Sequence, residues 1–370
     1  MKRIIAAIIL IVMNLNNYAQ TTNDVLNLLI KNKTITQGEA DSIRAEAAIK
    51  QQETDANRKS FLVSASRPVQ LSGYTQVRYQ FLQQTGKVDG FDIRRARLDL
   101  QGNVSPYFSY KLLTDFAGSP KILEAYAEIK INNYINFTAG EAKLPFSFEN
   151  LLSDSKLEMP DRSQVVEALV SRSTDVIGNQ NGRDVGVQLG GFAWKHAKRF
   201  IFEYKFGVFN GAGINISDNN NNKDIAGRLV AHPLSELTLG GSFYSGNGFY
   251  GTPAAANHVR NRVGLEANYE NKVFFARSEY IEGKDGAVGR NGWYAETGCF
   301  VIPSKLQFVL RYDIYDPNRS LSNNTVTLYQ AGATYHFNSW SKIQALFTTI
   351  KKESASKTNN TGVIQYQISF

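Results

Sequence analysis

From Val69 almost to the end of the chain, apolar and polar residues alternate with a period of two. Val69, Leu71, Gly73, Thr75, Val77, Tyr79 and Phe81 share one face of the first such stretch. Gln70, Ser72, Tyr74, Gln76, Arg78 and Gln80 share the other, as successive side chains of an extended strand must. Next, Ala96, Leu98, Leu100 and Val104 oppose Arg95, Arg97, Asp99, Gln101 and Asn103. The pattern predicts sixteen strands, near 68–82, 92–103, 107–117, 121–131, 134–145, 183–192, 199–209 and 224–231. The second eight lie near 236–246, 258–269, 272–282, 291–301, 304–315, 323–337, 340–351 and 361–370.

The connections choose between architectures. Short links such as Asn103–Pro106, Ile131–Tyr134 and Phe337–Trp340 alternate with mostly longer Gly-, Asn- and Ser-rich ones, among them Phe146–Gly182 and Gly211–Lys223. A soluble β-sandwich shares the period of two but has no reason to alternate loop length. A meander closed across a membrane does, with tight turns at one rim and long loops at the other. Lipid offers no hydrogen bonds, so a sheet there must close on itself. The chain ends on Ile364, Tyr366, Ile368 and Phe370 interleaved with Gln365, Gln367 and Ser369, which makes the terminus a sheet position pairing with the first strand. The expected fold class is therefore all-β: an antiparallel up-and-down transmembrane β-barrel of about 16 strands over residues 66–370.

The first 65 residues follow another pattern. Lys2 and Arg3 precede the unbroken apolar run Ile4–Met13, and Asn17-Tyr18-Ala19 loosely matches a cleavage site. Residues 1–19 thus read as a secretory signal peptide, too short with its flanks to be a spanning helix. Residues 20–65 read as a short N-terminal helical periplasmic arm, with Thr36 and Glu39 spaced as a capping box.

Composition narrows the function. Forty-one basic residues against 33 acidic ones give a net charge of +8. The single cysteine, Cys299, excludes an internal disulfide and a cysteine metal site. His196, His232, His258 and His336 are scattered without ligand spacing, so no metal or cofactor is expected, and no enzymatic activity. No basic cluster interleaved with aromatics points to nucleic acid.

The segments "LSGYTQVRYQF", "FDIRRARLDLQGNV", "EAYAEIKI", "TAGEAKLPFSFENLLS" and "RDVGVQLGG" resemble the phosphate-selective porin O and P family. The resemblance implies a trimeric, sixteen-stranded outer-membrane porin that passes small anions. It also implies that the long 146–182 loop folds into the lumen as the constriction. An alternating last strand ending in Phe370 resembles the signal read by the barrel-assembly machinery. Partners are then outer-membrane lipid, small anionic solutes and two further copies in a homotrimer.

Lumen-facing charge sets ion preference. Alternation turns Arg78, Arg95, Arg97, Lys111, Lys130, Lys205, Arg260, Arg262, Arg277 and Arg311 inward, with Asp99, Asp115, Glu124, Glu128, Glu203, Glu266, Glu279 and Asp313. Lys143, Arg162 and Arg172 join the anion-binding candidates from the long connection and its approach. Arg95 with Arg97, and Arg260 with Arg262, place like charges on one face and require an anion or an acid between them. The expected function is passive diffusion of small anions, phosphate or a similar oxyanion. The alternatives are non-specific permeation of small hydrophilic solutes and a plugged barrel serving as a surface binding or structural protein.

Overall fold

The structure, a computed structural model, describes residues 31–32, 62–64, 67–83, 88–196, 199–251 and 255–370. The expected signal peptide and almost all of the expected arm lie outside the described residues. Short strand β1 (Leu62–Ser64) pairs with the start of β2 (Arg67–Leu82). There follow β3 (Gly90–Asn103), β4 (Phe108–Asp115), β5 (Lys121–Lys130), β6 (Asn136–Lys143), β7 (Arg183–His196), β8 (Arg199–Phe209) and β9 (Asp224–Ala231). Then come β10 (Leu237–Tyr250), β11 (Ala256–Glu270), β12 (Phe274–Asp285) and β13 (Val288–Ile302). The last four are β14 (Leu306–Asp316), β15 (Val326–His336), β16 (Ser341–Lys352) and β17 (Asn359–Ser369).

Every neighbour in sequence from β2 to β17 is an antiparallel neighbour in space, and β17 pairs back onto β2. Sixteen strands thus close without an edge. Beyond the ladder, Phe370 and Gly73 exchange two backbone hydrogen bonds of 3.0 Å each. The terminal phenylalanine is an ordered part of the seam, as its place in the alternation requires.

Polarity is inverted relative to a water-soluble protein. Along β11, Arg260, Arg262, Gly264, Glu266 and Asn268 are buried while Val259, Val263 and Leu265 are exposed. Gln76, Arg95 and Arg311 are all under 5% exposed, whereas Phe91, Ile93 and Leu310 are each more than half exposed. Long charged side chains are rarely buried unless paired, so the buried face is a charged interior and the exposed one a lipid surface.

The short turns share one device. Asn132, Asn271 and Asn338 each accept two following backbone N–H groups on Oδ1, at 2.7–3.0 Å. This side-chain turn completes the backbone bonding in few residues. On the opposite rim β12 and β13 run further than the alternation suggests. They close on the two-residue turn Gly286-Ala287, where Gly286 has φ +59°, as a tight hairpin demands.

Candidate functional site

The connection between β6 and β7 lies against inward-facing side chains of the barrel. It contains two short helices, α1 (Phe148–Leu151) and α2 (Gln164–Leu169). Helices this short do not stand alone; wall contacts hold them. Glu279 on β12 accepts the Phe148 and Glu149 amides at 2.9 and 2.8 Å, and Asp313 on β14 accepts Gln164 N at 2.8 Å. Each carboxylate thus meets the unpaired amides that open a helix. Ser163 caps α2, and Val165, Val166 and Leu169 are buried with Tyr244, Ile281, Tyr294 and Tyr315 of the wall. Each such aliphatic side chain contributes ~1.5–3 kcal/mol of burial.

Loop carboxylates meet wall guanidinium groups all along the contact. Asp154 lies 3.1 Å from Arg95 and also pairs with Arg97 and with the loop's own Arg162. Asp175 lies 2.9 Å from Arg260 and 3.8 Å from Arg262. These two aspartates are the acids that the like-charged pairs required. Glu158 takes Arg277 through two 2.9 Å bonds, with the guanidinium 4.4 Å from the Phe275 ring. Glu149 and Glu296 share Arg311, and Asp161 lies 3.2 Å from Arg78. Burial would push the Asp154 carboxyl up, but Arg162, Arg95 and Arg97 hold it well below the usual range. The Asp161 and Asp175 carboxyls are likewise held down against burial, by Arg94 and Arg78 and by Arg260 and Arg262.

What remains open is a cavity of 640 Å³ on the β2–β8 side, from Gly73 and Phe370 at one end to Leu113 and Arg183. Six basic side chains line it: Arg97, Lys111, Lys143, Lys156, Arg183 and Lys205. Four carboxylates oppose them, Asp99, Glu124, Glu128 and Asp154. Lys111 is tied to Asp99 at 3.2 Å and Glu124 at 3.1 Å, and Arg183 to Glu124 at 2.6 Å. Among the described residues, Lys143, Lys156 and Lys205 have no carboxylate within salt-bridge distance. Lys143 spends two donors on the Leu151 and Leu152 carbonyls at 2.9 and 2.8 Å, at the end of α1. Lys156 is exposed and also lines a second cavity of 280 Å³ toward β11–β17.

Comparison with known families matches residues 69–368, nearly the whole barrel, to the family described as phosphate-selective porin O and P. The chain belongs to that family. It is an outer-membrane porin, and the short-turn rim where Phe370 ends is its periplasmic side. An anion-selective porin from Comamonas acidovorans is 13% identical, with 82% of this chain and 100% of that chain covered at a TM-score of 0.64. Pseudomonas putida OprB is 10% identical over 82% of this chain and 94% of that chain, at 0.62. A trimer form of Vibrio cholerae OmpT is 12% identical, covering 82% and 100% at 0.58. Identities this low speak to the fold alone. Comparison with curated proteins finds no match.

The twelve candidate residues of this porin differ in what surrounds them. Arg78, Arg95, Arg97, Arg260, Arg262, Arg277 and Arg311 face inward but end on carboxylates. Arg162 and Arg172 are buried inside the loop. Arg172 donates to Asn150 at 2.9 Å, and burial together with the nearby Arg162 holds its pKa well below the arginine range. Of the twelve candidates only Arg97, Lys111 and Lys143 line the large cavity; Lys130 is exposed at the periplasmic end of β5 and lines neither cavity. Lys156 and Lys205 complete the open set. Lys205 was signalled by strand alternation, whereas Lys156 ends a single 3₁₀ turn, Asp154–Lys156, that no period marks.

Proposed function

We propose that this porin passes small anions by passive diffusion, with phosphate or a similar oxyanion as the favoured solute. The route runs beside the infolded 146–182 loop, which acts as the constriction. The observation that carries this reading is the trio Lys143, Lys156 and Lys205, unmatched by carboxylates while the arginines of the wall are neutralised. One unmatched charge at about 8 Å is worth ~0.5 kcal/mol in water and ~2 kcal/mol at an effective dielectric of about 20. Set against Glu128, the lining carboxylate outside the ion pairs, the three lysines leave two excess positive charges, which favour an anion over a cation. The family's description and the anion-selective porin of Comamonas acidovorans support the same direction.

Reversal potentials across a planar bilayer in a potassium chloride gradient test this. The wild type is expected to be anion-selective and blocked by millimolar phosphate. The Lys143→Gln, Lys156→Gln, Lys205→Gln triple variant is expected to lose most of that preference at similar conductance. Cation selectivity in the wild type defeats the reading, and absence of any conductance favours a plugged barrel. A homotrimer is part of the proposal, supported by the trimer form of OmpT. Slow migration of unheated protein on a gel, collapsing to the monomer on boiling, is the expected sign. Insertion by the barrel-assembly machinery through the last strand completes the reading.

A further inference from the structure

The connection from β8 to β9 also turns inward, which its position between adjacent strands does not require. Asn210 donates to the Val185 carbonyl at 3.0 Å. Asp184, at the external end of β7, accepts Gly211 N at 2.9 Å and Gly213 N at 3.3 Å. Gln180 of the long loop accepts Ile214 N at 3.0 Å. Glu141 on β6 accepts Asn215 N at 2.8 Å, and Asn215 Nδ2 donates to the Ile122 carbonyl on β5 at 2.7 Å. The strap therefore crosses the external ends of β7, β6 and β5. Gly211 and Gly213 have φ +81° and +97°, and a Cβ on either would meet Asp224 or Gln180 within 2.5 Å.

The strap delivers Ile214, 5% exposed, into contact with Leu113 on β4 and Leu123 on β5. Leu113 itself lines the large cavity. So do Glu124, Ala142 and Arg183, the chain neighbours of Leu123, Glu141 and Asp184. The apolar contact thus stands at the external mouth of the cavity. Beyond it, the hydrogen bonds of Ile216–Lys223 stay within that segment: Asp218 takes Asn220 N and pairs with Lys223, and Asn220 takes Asn222 N. Among the described residues, the strap is pinned at one end and followed by a polar tether with no hydrogen bond to the wall.

We propose that residues 210–215 gate the external mouth of the lysine-lined cavity, with Ile214 as an apolar stop. A hydrated anion gains nothing from Ile214, Leu113 and Leu123 and must shed water to pass them. Lifting the strap off Glu141, Ile122 and the Gln180 side chain widens the mouth. The gate rests on the porin reading but not on the sign of the preferred ion.

Full-length protein in planar bilayers and liposomes tests it, with Ile214→Ser and Glu141→Ala as separate variants and heat-shifted gel migration as the check on folding. Either variant is expected to raise unitary conductance roughly twofold or more, Ile214→Ser by removing the apolar stop and Glu141→Ala by releasing the strap that carries it. Each is also expected to raise uptake of glucose 6-phosphate relative to phosphate. Unchanged conductance and an unchanged uptake ratio in folded variants overturn the gate. Reversal potentials from the same bilayers report the lysines separately, so loss of anion preference with the strap effect intact defeats only the selectivity reading.

Discussion

The Asp175 carboxylate of the infolded loop lies 2.9 Å from the Arg260 guanidinium on β11, with both side chains at or below 1% exposure. Arg262, 3.8 Å away, shares the same acid and also pairs with Asp285 at 2.6 Å. One loop residue thereby neutralises part of a charge pair that the wall does not balance alone. Removing a single partner from a buried pair typically costs about 3–5 kcal/mol. Asp175→Ala is therefore expected to lower the urea midpoint of unfolding in lipid vesicles and to loosen the loop. The freed arginines should also shift the reversal potential further toward anions. A stability loss without that shift would show that the uncovered charges stay out of the pathway.

The loop's aspartates contribute one part of the pH behaviour of the constriction. Asp154, Asp161 and Asp175 have pKa values held below the ordinary carboxylate range by surrounding arginines. A depressed pKa contributes stability that is fully present above the unfolded value of about 4 and is lost as pH falls through the folded one. These three aspartates are expected to contribute no change in conductance or current noise between neutral pH and about pH 5, and to act only below about pH 4. A transition near pH 6 to 7 would place control in groups other than these three aspartates.

Much of this was legible in the chain. All sixteen barrel strands were signalled by alternation, because lipid outside and charge within impose opposite demands on neighbouring residues. The β12–β13 hairpin was underestimated because its strands run past the apolar belt, where alternation fades. The need for acids between Arg95 and Arg97 and between Arg260 and Arg262 followed from like charge on one face. Which acids supply them did not, since Asp154 and Asp175 lie in a loop with no period. Arg94 turns inward against the alternation for a different reason. The β2–β3 register slips between Gln76, which pairs with Arg95, and Val77, which pairs with Ile93. The extra residue of this bulge turns inward, and Arg94 reaches Asp161 at 3.0 Å.

That last contact differs in kind from the others. The Arg94 and Asp161 side chains are 30% and 37% exposed, so water screens the pair. Exposed ion pairs are worth roughly 0–1 kcal/mol. Arg94→Gln is expected to leave the urea midpoint within error of the wild type, while Arg97→Gln, which strips buried Asp154 and Asp115 of a partner, lowers it clearly. Equal losses in the two variants would mean that the bulge itself, rather than burial, carries the contribution of Arg94.

The seam offers the sharpest test of how the barrel closes. Gly73 faces outward on β2, and a Cβ there would come within 2.6 Å of the Phe370 ring and 2.5 Å of the Arg97 carbonyl. The ring can swing aside, being 68% exposed at the end of the chain. The carbonyl cannot, because it belongs to the β2–β3 ladder. Unpaired backbone groups at the seam would meet lipid rather than water, so closure has no cheap alternative geometry. Gly73→Val is expected to reduce the heat-shifted, folded fraction in outer-membrane preparations. Adding Phe370→Ala should restore it only in part, as residues in contact combine non-additively. Full restoration would show that the ring alone was the obstacle and that β3 can yield. No restoration would place the whole obstruction at the Arg97 carbonyl, and the terminal aromatic would then matter for insertion rather than for the fit of the closed seam.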